Sequence, residues 1–230
     1  MSEKRILFVE GNDDQHTVWA LCKFFSVQET FIVEVPDSKG AINKKAKATE
    51  KGGIDNVLKA IRANLTSDAI ECLGIVIDAD QGLLLRWQKV LKLLAEAGYQ
   101  NLPSQPDSNG TIIKEQFKPI FGVWIMPDNV TDRGMLEDFL AFLVPDKENN
   151  KSWAAATKCT QEIFAEENRF PEIHLSKAII HAYLAWQKEP GKPFGQALTA
   201  KYLQPLNPDC EIFVEWLKRL FIDEEIAPLQ

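Results

Sequence analysis

The chain is poor in everything that staples a small protein or anchors one in lipid. Its four cysteines stand at positions 22, 72, 159 and 210, far apart and without metal-type pairing. Three of them fall in apolar helix or strand patterns, which predicts reduced, mostly buried thiols and excludes a disulfide framework or a zinc ribbon. No uninterrupted apolar run approaches the ~20 residues that a membrane-spanning helix needs. The first apolar segment, Arg5 to Val9, follows without a leader of the secretory kind. A cytoplasmic protein with no membrane partner is the expectation. Positive charge is also short, with a formal net charge of −7. That balance excludes a surface that wraps duplex DNA throughout, but it is compatible with a local basic groove beside an acidic metal site. Nor is there a nucleotide-binding loop: Pro190-Gly191-Lys192-Pro193 lacks the Gly-Lys-Ser/Thr arrangement.

Apolar residues make up 45% of the chain, enough for a real core. Arg5-Ile-Leu-Phe-Val9, Phe31 to Val35, Cys72 to Ile77 and Phe121 to Met126 are short apolar runs ended by Gly, Pro or Asp, and they read as buried strands. Between them lie amphipathic segments. Val18, Leu21, Cys22 and Phe25 share one helical face, as do Ile54, Val57, Leu58, Ile61 and Leu65, and Leu84, Trp87, Val90, Leu91 and Leu94. Residues 99–116 are turn-rich, and Met135 to Leu143 makes a short helix. Strands alternating with helices imply βαβ units, hence an α/β fold with a four-stranded, mostly parallel sheet and helices on both faces. From about residue 150 the pattern is helical only, over 152–166, 174–188, 194–203 and 210–221. The expected organisation is an α/β domain over 1–148 and an α-helical extension over 149–230, packed upon it.

Glu10, Asp78 and Asp80 fall at carboxyl ends of predicted strands, the edge where open parallel sheets bind ligands. If the third strand continues through Asp78-Ala79-Asp80, both aspartates point to one side with Cα atoms ~6–7 Å apart. Carboxylates held that close repel unless a cation or a proton offsets their charge. Mg²⁺ takes oxygen ligands and binds through one or two carboxylates together with substrate phosphate. Asp14, four residues after Glu10, belongs to the same neighbourhood. A lone Asp-x-Asp is more often a capped turn; the paired acidic motifs after two strands are what raise the functional reading above that one.

Phe8-Val-Glu-Gly-Asn-Asp-Asp14 followed by Ile75-Val-Ile-Asp-Ala-Asp80 resembles the Toprim domain, over about residues 4 to 145. The whole chain resembles the DUF3226 family, through Trp124-Ile-Met-Pro-Asp-Asn129 and Leu136-Glu-Asp-Phe-Leu140. The resemblance implies a Toprim-like fold and Mg²⁺ or Mn²⁺ at the acidic site. Carried over by motif, Glu10 is an acid/base or metal-binding residue and Asp78 and Asp80 are metal ligands. Asp14 matches the second acidic residue of the OLD-type Glu-Gly-x-x-Glu pattern, with aspartate in place of glutamate. Glu137 matches the downstream acidic residue at which a second metal sits in OLD-type nucleases. Those enzymes also use a lysine from a later segment near the metals, and Lys177 is the candidate here.

The functional expectation is therefore a metal-dependent nuclease or related phosphodiesterase with a nucleic acid or other phosphodiester as substrate. Two other classes compete. A non-catalytic Toprim module would bind metal and act only with a partner protein, as in bacterial defence systems. A phospho-acceptor receiver domain would use Asp13, Asp14 and Asp78. No catalytic-tyrosine module accompanies Tyr99, Tyr183 or Tyr202, so topoisomerase chemistry is not expected. Lesser candidates are Asp128 and Arg133 beside the fourth strand, the lysine-rich stretch Lys39 to Lys51, and the helical face shared by His174, Lys177 and His181. Two histidines without a nearby cysteine argue against zinc there. The six tryptophans sit at helix or strand positions, which favours core packing over base stacking.

Overall fold

The computed structural model describes residues 4–39, 52–67, 69–80 and 82–222. Five strands form one sheet in the order β2-β1-β3-β5-β4. They are β1 (Lys4–Val9), β2 (Ile32–Glu34), β3 (Ile70–Asp78), β4 (Thr111–Ile113) and β5 (Ile120–Met126). β1, β2, β3 and β5 run parallel, and β4 is antiparallel to β5. The expected count of four strands is thus one short. β4 has three residues set among turn formers, and a strand that brief shows no alternation of its own for a pattern to catch. As an edge strand it needs only β5 for its hydrogen bonds.

Residues alternate across the sheet with period two. Leu7, Val9, Cys72, Val76, Trp124 and Met126 face one apolar layer, whereas Ile6, Phe8, Leu73, Ile75, Ile77, Val123 and Ile125 face another. The second layer is closed by α2 (Ile54–Asn64) and α3 (Leu83–Glu96). On α3 the buried stripe is Leu83, Trp87, Val90, Leu93 and Leu94. The stripe starts one residue before the expected Leu84, whose side chain stays half exposed.

The first layer carries all the other helices: α1 (Asn12–Phe24), α4 (Leu136–Phe142), α5 (Lys151–Glu167), α6 (Leu175–Ala185), α7 (Phe194–Thr199) and α8 (Pro208–Phe221). A 3-10 turn, Glu172–His174, leads into α6, so His174 lies before the helix rather than on its face. α8 lies against the middle of the sheet, burying Phe213, Trp216, Leu217, Leu220 and Phe221. Gly122 on β5 makes room for it: a Cβ there would stand 2.2 Å from Leu220 Cδ2. Arg5 on β1 donates to the Phe221 carbonyl and pairs with Glu71 at 2.7 Å, tying the end of α8 to two strands. The helices after residue 150 therefore share one apolar cluster with the sheet.

Trp87, Trp124 and Trp216 are fully buried, as expected of core tryptophans, while Trp19 and Trp186 are about half exposed. The cysteines are free, with Cys72 and Cys210 buried and Cys159 exposed. Among the described residues, no helix is long and apolar enough to cross a membrane.

Candidate acidic site at the carboxyl edge of the sheet

β1 and β3 are neighbours in the sheet, with Val9 opposite Val76, so the residues that leave their carboxyl ends emerge side by side. Glu10 leaves β1 and its Oε1 accepts the Asp78 backbone N–H at 2.9 Å. The Ile54 N–H at the start of α2 also donates to the Glu10 carboxylate. The main chain around Glu10 is just as closely held. Gly53 N–H donates to the Glu10 carbonyl at 2.7 Å, and Gly52, at φ +85°, passes so close that a Cβ would lie 2.4 Å from that carbonyl oxygen. Only glycine meets both demands.

Gly11 turns the chain into α1, whose first turn carries Asp14 inward. Asp14 is buried, and its Oδ1 has no hydrogen-bond partner. Such an oxygen is costly to bury unless something else supplies positive charge. The loop after β5 brings in α4. Its first residue, Leu136, donates its N–H to Asp78 Oδ1 at 2.9 Å, and its second, Glu137, is buried. α6 then places Lys177 Nζ 2.8 Å from Glu137 Oε1.

Glu10, Asp14, Asp78, Glu137 and Lys177 thus meet at one edge although the sequence separates the first and last by most of the chain. Their electrostatics follow. Burial pushes the Asp14 carboxyl up to about 8, with the charges of Glu10 and Glu137 adding to it. Burial, then Asp14, Glu10 and Glu137, raise Asp78 well above the usual carboxylate range despite the Leu136 hydrogen bond. Burial raises Glu10 too, opposed by the Asp78 and Ile54 N–H groups and by Arg86. Lys177 is raised as well, but by its acidic neighbours: partial burial would lower it, and the bond to Glu137 and the charges of Glu137, Asp13 and Asp78 outweigh that.

Asp80 does not join them. β3 ends at Asp78, and Asp80 adopts a left-handed φ of 52°, which breaks the strand alternation on which a shared direction for the two aspartates depended. Its backbone bridges Gly134, donating at 2.9 Å and accepting at 3.3 Å, and its carboxylate pairs with Arg86. Arg86 Nε also donates to the Asp78 carbonyl at 3.1 Å. Asp128 serves its own turn, accepting from the Val130 and Thr131 N–H groups and the Thr131 hydroxyl. Arg133 and His174 are exposed. The His181 ring packs on Phe194, 5.0 Å between centroids. Of the lysine-rich stretch only Lys39 lies within the described residues.

Sequence reasoning passed over Arg86 and the Asp138–Ser176 pair. Asp138 accepts from Met135 N–H at 2.9 Å and from the Ser176 hydroxyl, locking α4 to the start of α6 one residue before Lys177. Arg86 sits among the leucines of α3, where the apolar period hides it. A lone arginine one turn past an acidic motif was the available signal.

The donor set is all oxygen, of the hard type that Mg²⁺ prefers. The raised carboxyls and the unpartnered Asp14 oxygen suit a cation in charge. The distances are looser than the charges: among the described residues, no three His, Cys, Asp or Glu side chains close on one point as a finished metal site would. A family model described as "Protein of unknown function (DUF3226)" matches residues 4–222. No curated protein and no solved structure matches the chain.

Proposed function

From a chain that belongs to the DUF3226 family, and whose distinguishing feature is a buried carboxylate cluster, we propose a Mg²⁺- or Mn²⁺-dependent phosphodiesterase of the Toprim type, acting on a nucleic acid. The observation that carries this reading is the unpartnered, buried Asp14 oxygen beside Glu10, Asp78 and Glu137. Four carboxyls held together without enough counter-charge are a standing demand for a cation, and a polyanionic substrate would need the same cation to approach. The Toprim relation enters with it, supported by a glutamate just after β1 and an aspartate that ends the adjacent parallel β3.

Glu10, Asp14 and Asp78 would hold the cation, whose contribution is to neutralise charge on the phosphodiester and its leaving oxygen. The chain's own groups do the rest. Glu10, fixed by two backbone N–H groups, would take a proton from an attacking water. Lys177, half exposed while its partner Glu137 is buried, can turn its ammonium toward a phosphate and offset charge as it develops. The Gly52–Gly53 backbone and the first turn of α4 keep those side chains in place.

Purified protein is expected to cleave DNA or RNA with Mg²⁺ or Mn²⁺, and to lose at least about 100-fold in rate in Glu10→Ala or Asp78→Ala while keeping its circular dichroism. Folded, cation-loaded protein inert on single- and double-stranded DNA and RNA would remove the enzyme reading. One observation favours a second reading. The carboxylates do not close on a point, and Glu137 is already engaged by Lys177. A Toprim module completed by a partner protein fits that state, and activity appearing only with a co-purified partner would select it.

A further inference from the structure

We infer that the two aspartates of Asp78-Ala79-Asp80 have separate jobs: Asp78 faces the cation, while Asp80 anchors Arg86, which keeps it out of the acidic cluster. This rests on the cation-binding reading of that cluster. It makes Arg86 a positioning residue of the site.

The geometry starts where β3 stops. Asp78 is the last strand residue, and its carboxylate points to Leu136 N–H and the neighbouring acids. Two residues later the left-handed turn at Asp80 redirects the chain. Left-handed backbone is uncommon for a residue with a Cβ and needs support from its surroundings. That support comes from three sides. Asp80 exchanges two backbone hydrogen bonds with Gly134, Leu83 N–H donates to the Asp132 carbonyl at 2.7 Å, and Arg86 spans the turn from the Asp78 carbonyl to the Asp80 carboxylate. The Arg86 side chain is 11% exposed and that of Asp80 33%, so the pair is shielded well beyond an ordinary surface bridge. The charges that act most on Asp78 are Asp14, Glu10 and Glu137.

A guanidinium and a divalent cation compete for a carboxylate. With Asp80 neutralised by a planar, always-charged fork, a cation entering between Glu10, Asp14 and Asp78 meets the Asp80 charge already spent on Arg86. Arg86 also acts on Glu10, holding its carboxylate toward the charged form, so its positive charge bears on the same group that would hold the cation. Removing Arg86 does two things in the same direction: it takes away a competing positive charge and frees a carboxylate.

Isothermal titration with Mg²⁺ and Mn²⁺, paired with the cation-induced rise in thermal midpoint, reads this directly without any substrate. Asp78→Asn is expected to weaken binding at least about tenfold, and Asp80→Asn to stay within about threefold of the wild type. Asparagine tolerates the left-handed turn, so Asp80→Asn should fold, with a lower midpoint from the lost ion pair but an intact cation-induced rise. Arg86→Met is expected to tighten binding about three- to tenfold, and the gain should vanish in Arg86→Met/Asp80→Asn. A loss in Asp80→Asn as large as that in Asp78→Asn makes Asp80 a ligand and overturns the assignment. So does unchanged or weaker binding by folded Arg86→Met; if that variant does not fold, Asp80→Asn decides alone. A wild-type protein that binds neither cation defeats the cation reading itself, and leaves Arg86–Asp80 as a brace for the turn only.

Discussion

At the scale of single residues, Asp14 concentrates the tension in the molecule. Its carboxyl is pushed up to about 8 by burial and by Glu10 and Glu137, whereas in the unfolded chain it titrates near 4. Between those values the folded protein holds a proton that the unfolded chain has released. Stability without divalent cation should therefore fall as pH rises from about 4 to about 8, on the order of 1 kcal/mol per unit for one such group. Asp78 and Glu10 are raised as well and act in the same direction. Asp14→Asn cannot titrate, so its thermal midpoint should change less between pH 5 and 8 and exceed that of the wild type at pH 8. Flat or rising wild-type stability over that range would show that the cluster is relieved by some other route. In the sequence Asp14 was marked by its spacing from Glu10 and by the OLD-type pattern, not by its surroundings. The lack of a partner for its Oδ1 could not be read there, because that depends on what α4 and α6 bring.

At the scale of elements, the strands and helices around the site follow from local pattern. β1, β3 and β5 are apolar runs that end in a glycine, an aspartate and a proline, and they were readable as such. α3 was readable as a helix, and its buried stripe keeps the expected Trp87, Val90 and Leu94 but takes Leu83 and Leu93 in place of Leu84 and Leu91. β4 was hidden by its brevity. The packing of α8 on the sheet depends on a missing side chain: Gly122→Ala would place a methyl 2.2 Å from Leu220 Cδ2. That overpacking is expected to cost about 1–3 kcal/mol in urea unfolding, and an unchanged midpoint would mean that α8 can shift at no cost. Gly122→Ala combined with Leu220→Ala should recover part of the loss, since the smaller partner opens the space.

At the scale of the whole molecule, the helices beyond residue 150 complete the face of the sheet that carries the site. Phe213, Trp216, Leu217, Leu220 and Phe221 cover the strand residues Leu7, Cys72, Val76 and Trp124, and α6 delivers Lys177 to Glu137. A fragment ending at residue 148 would expose that apolar layer and lose the lysine. It is expected to be aggregation-prone and to lack a cooperative thermal transition, checked by calorimetry and size-exclusion chromatography. A monomeric fragment with a sharp transition would show instead that the first 148 residues hold their own core. The same arrangement explains why net charge does not reveal the acidic cluster. Its groups are a few gathered at one edge, and a count over the chain averages them with solvated ones.

The sequence by itself determined the strand–helix alternation, the mostly parallel sheet and the placing of Glu10 and Asp78 at carboxyl ends of strands, because those follow from short-range periodicity and from the rule that parallel strands share a carboxyl edge; that β1 and β3 are neighbours came from the sheet order. It also supplied Asp14, by its spacing from Glu10 and by likeness to other proteins, and Glu137 and Lys177 by likeness alone. Tertiary structure alone decided that Lys177 reaches Glu137, that Asp14 Oδ1 is buried without a hydrogen-bond partner, and that Asp80 turns away to Arg86. The physical reason is the same in each case. A side chain's direction beyond the end of a strand is set by contacts with distant segments, here Gly134, α4 and α6, and no local pattern encodes those.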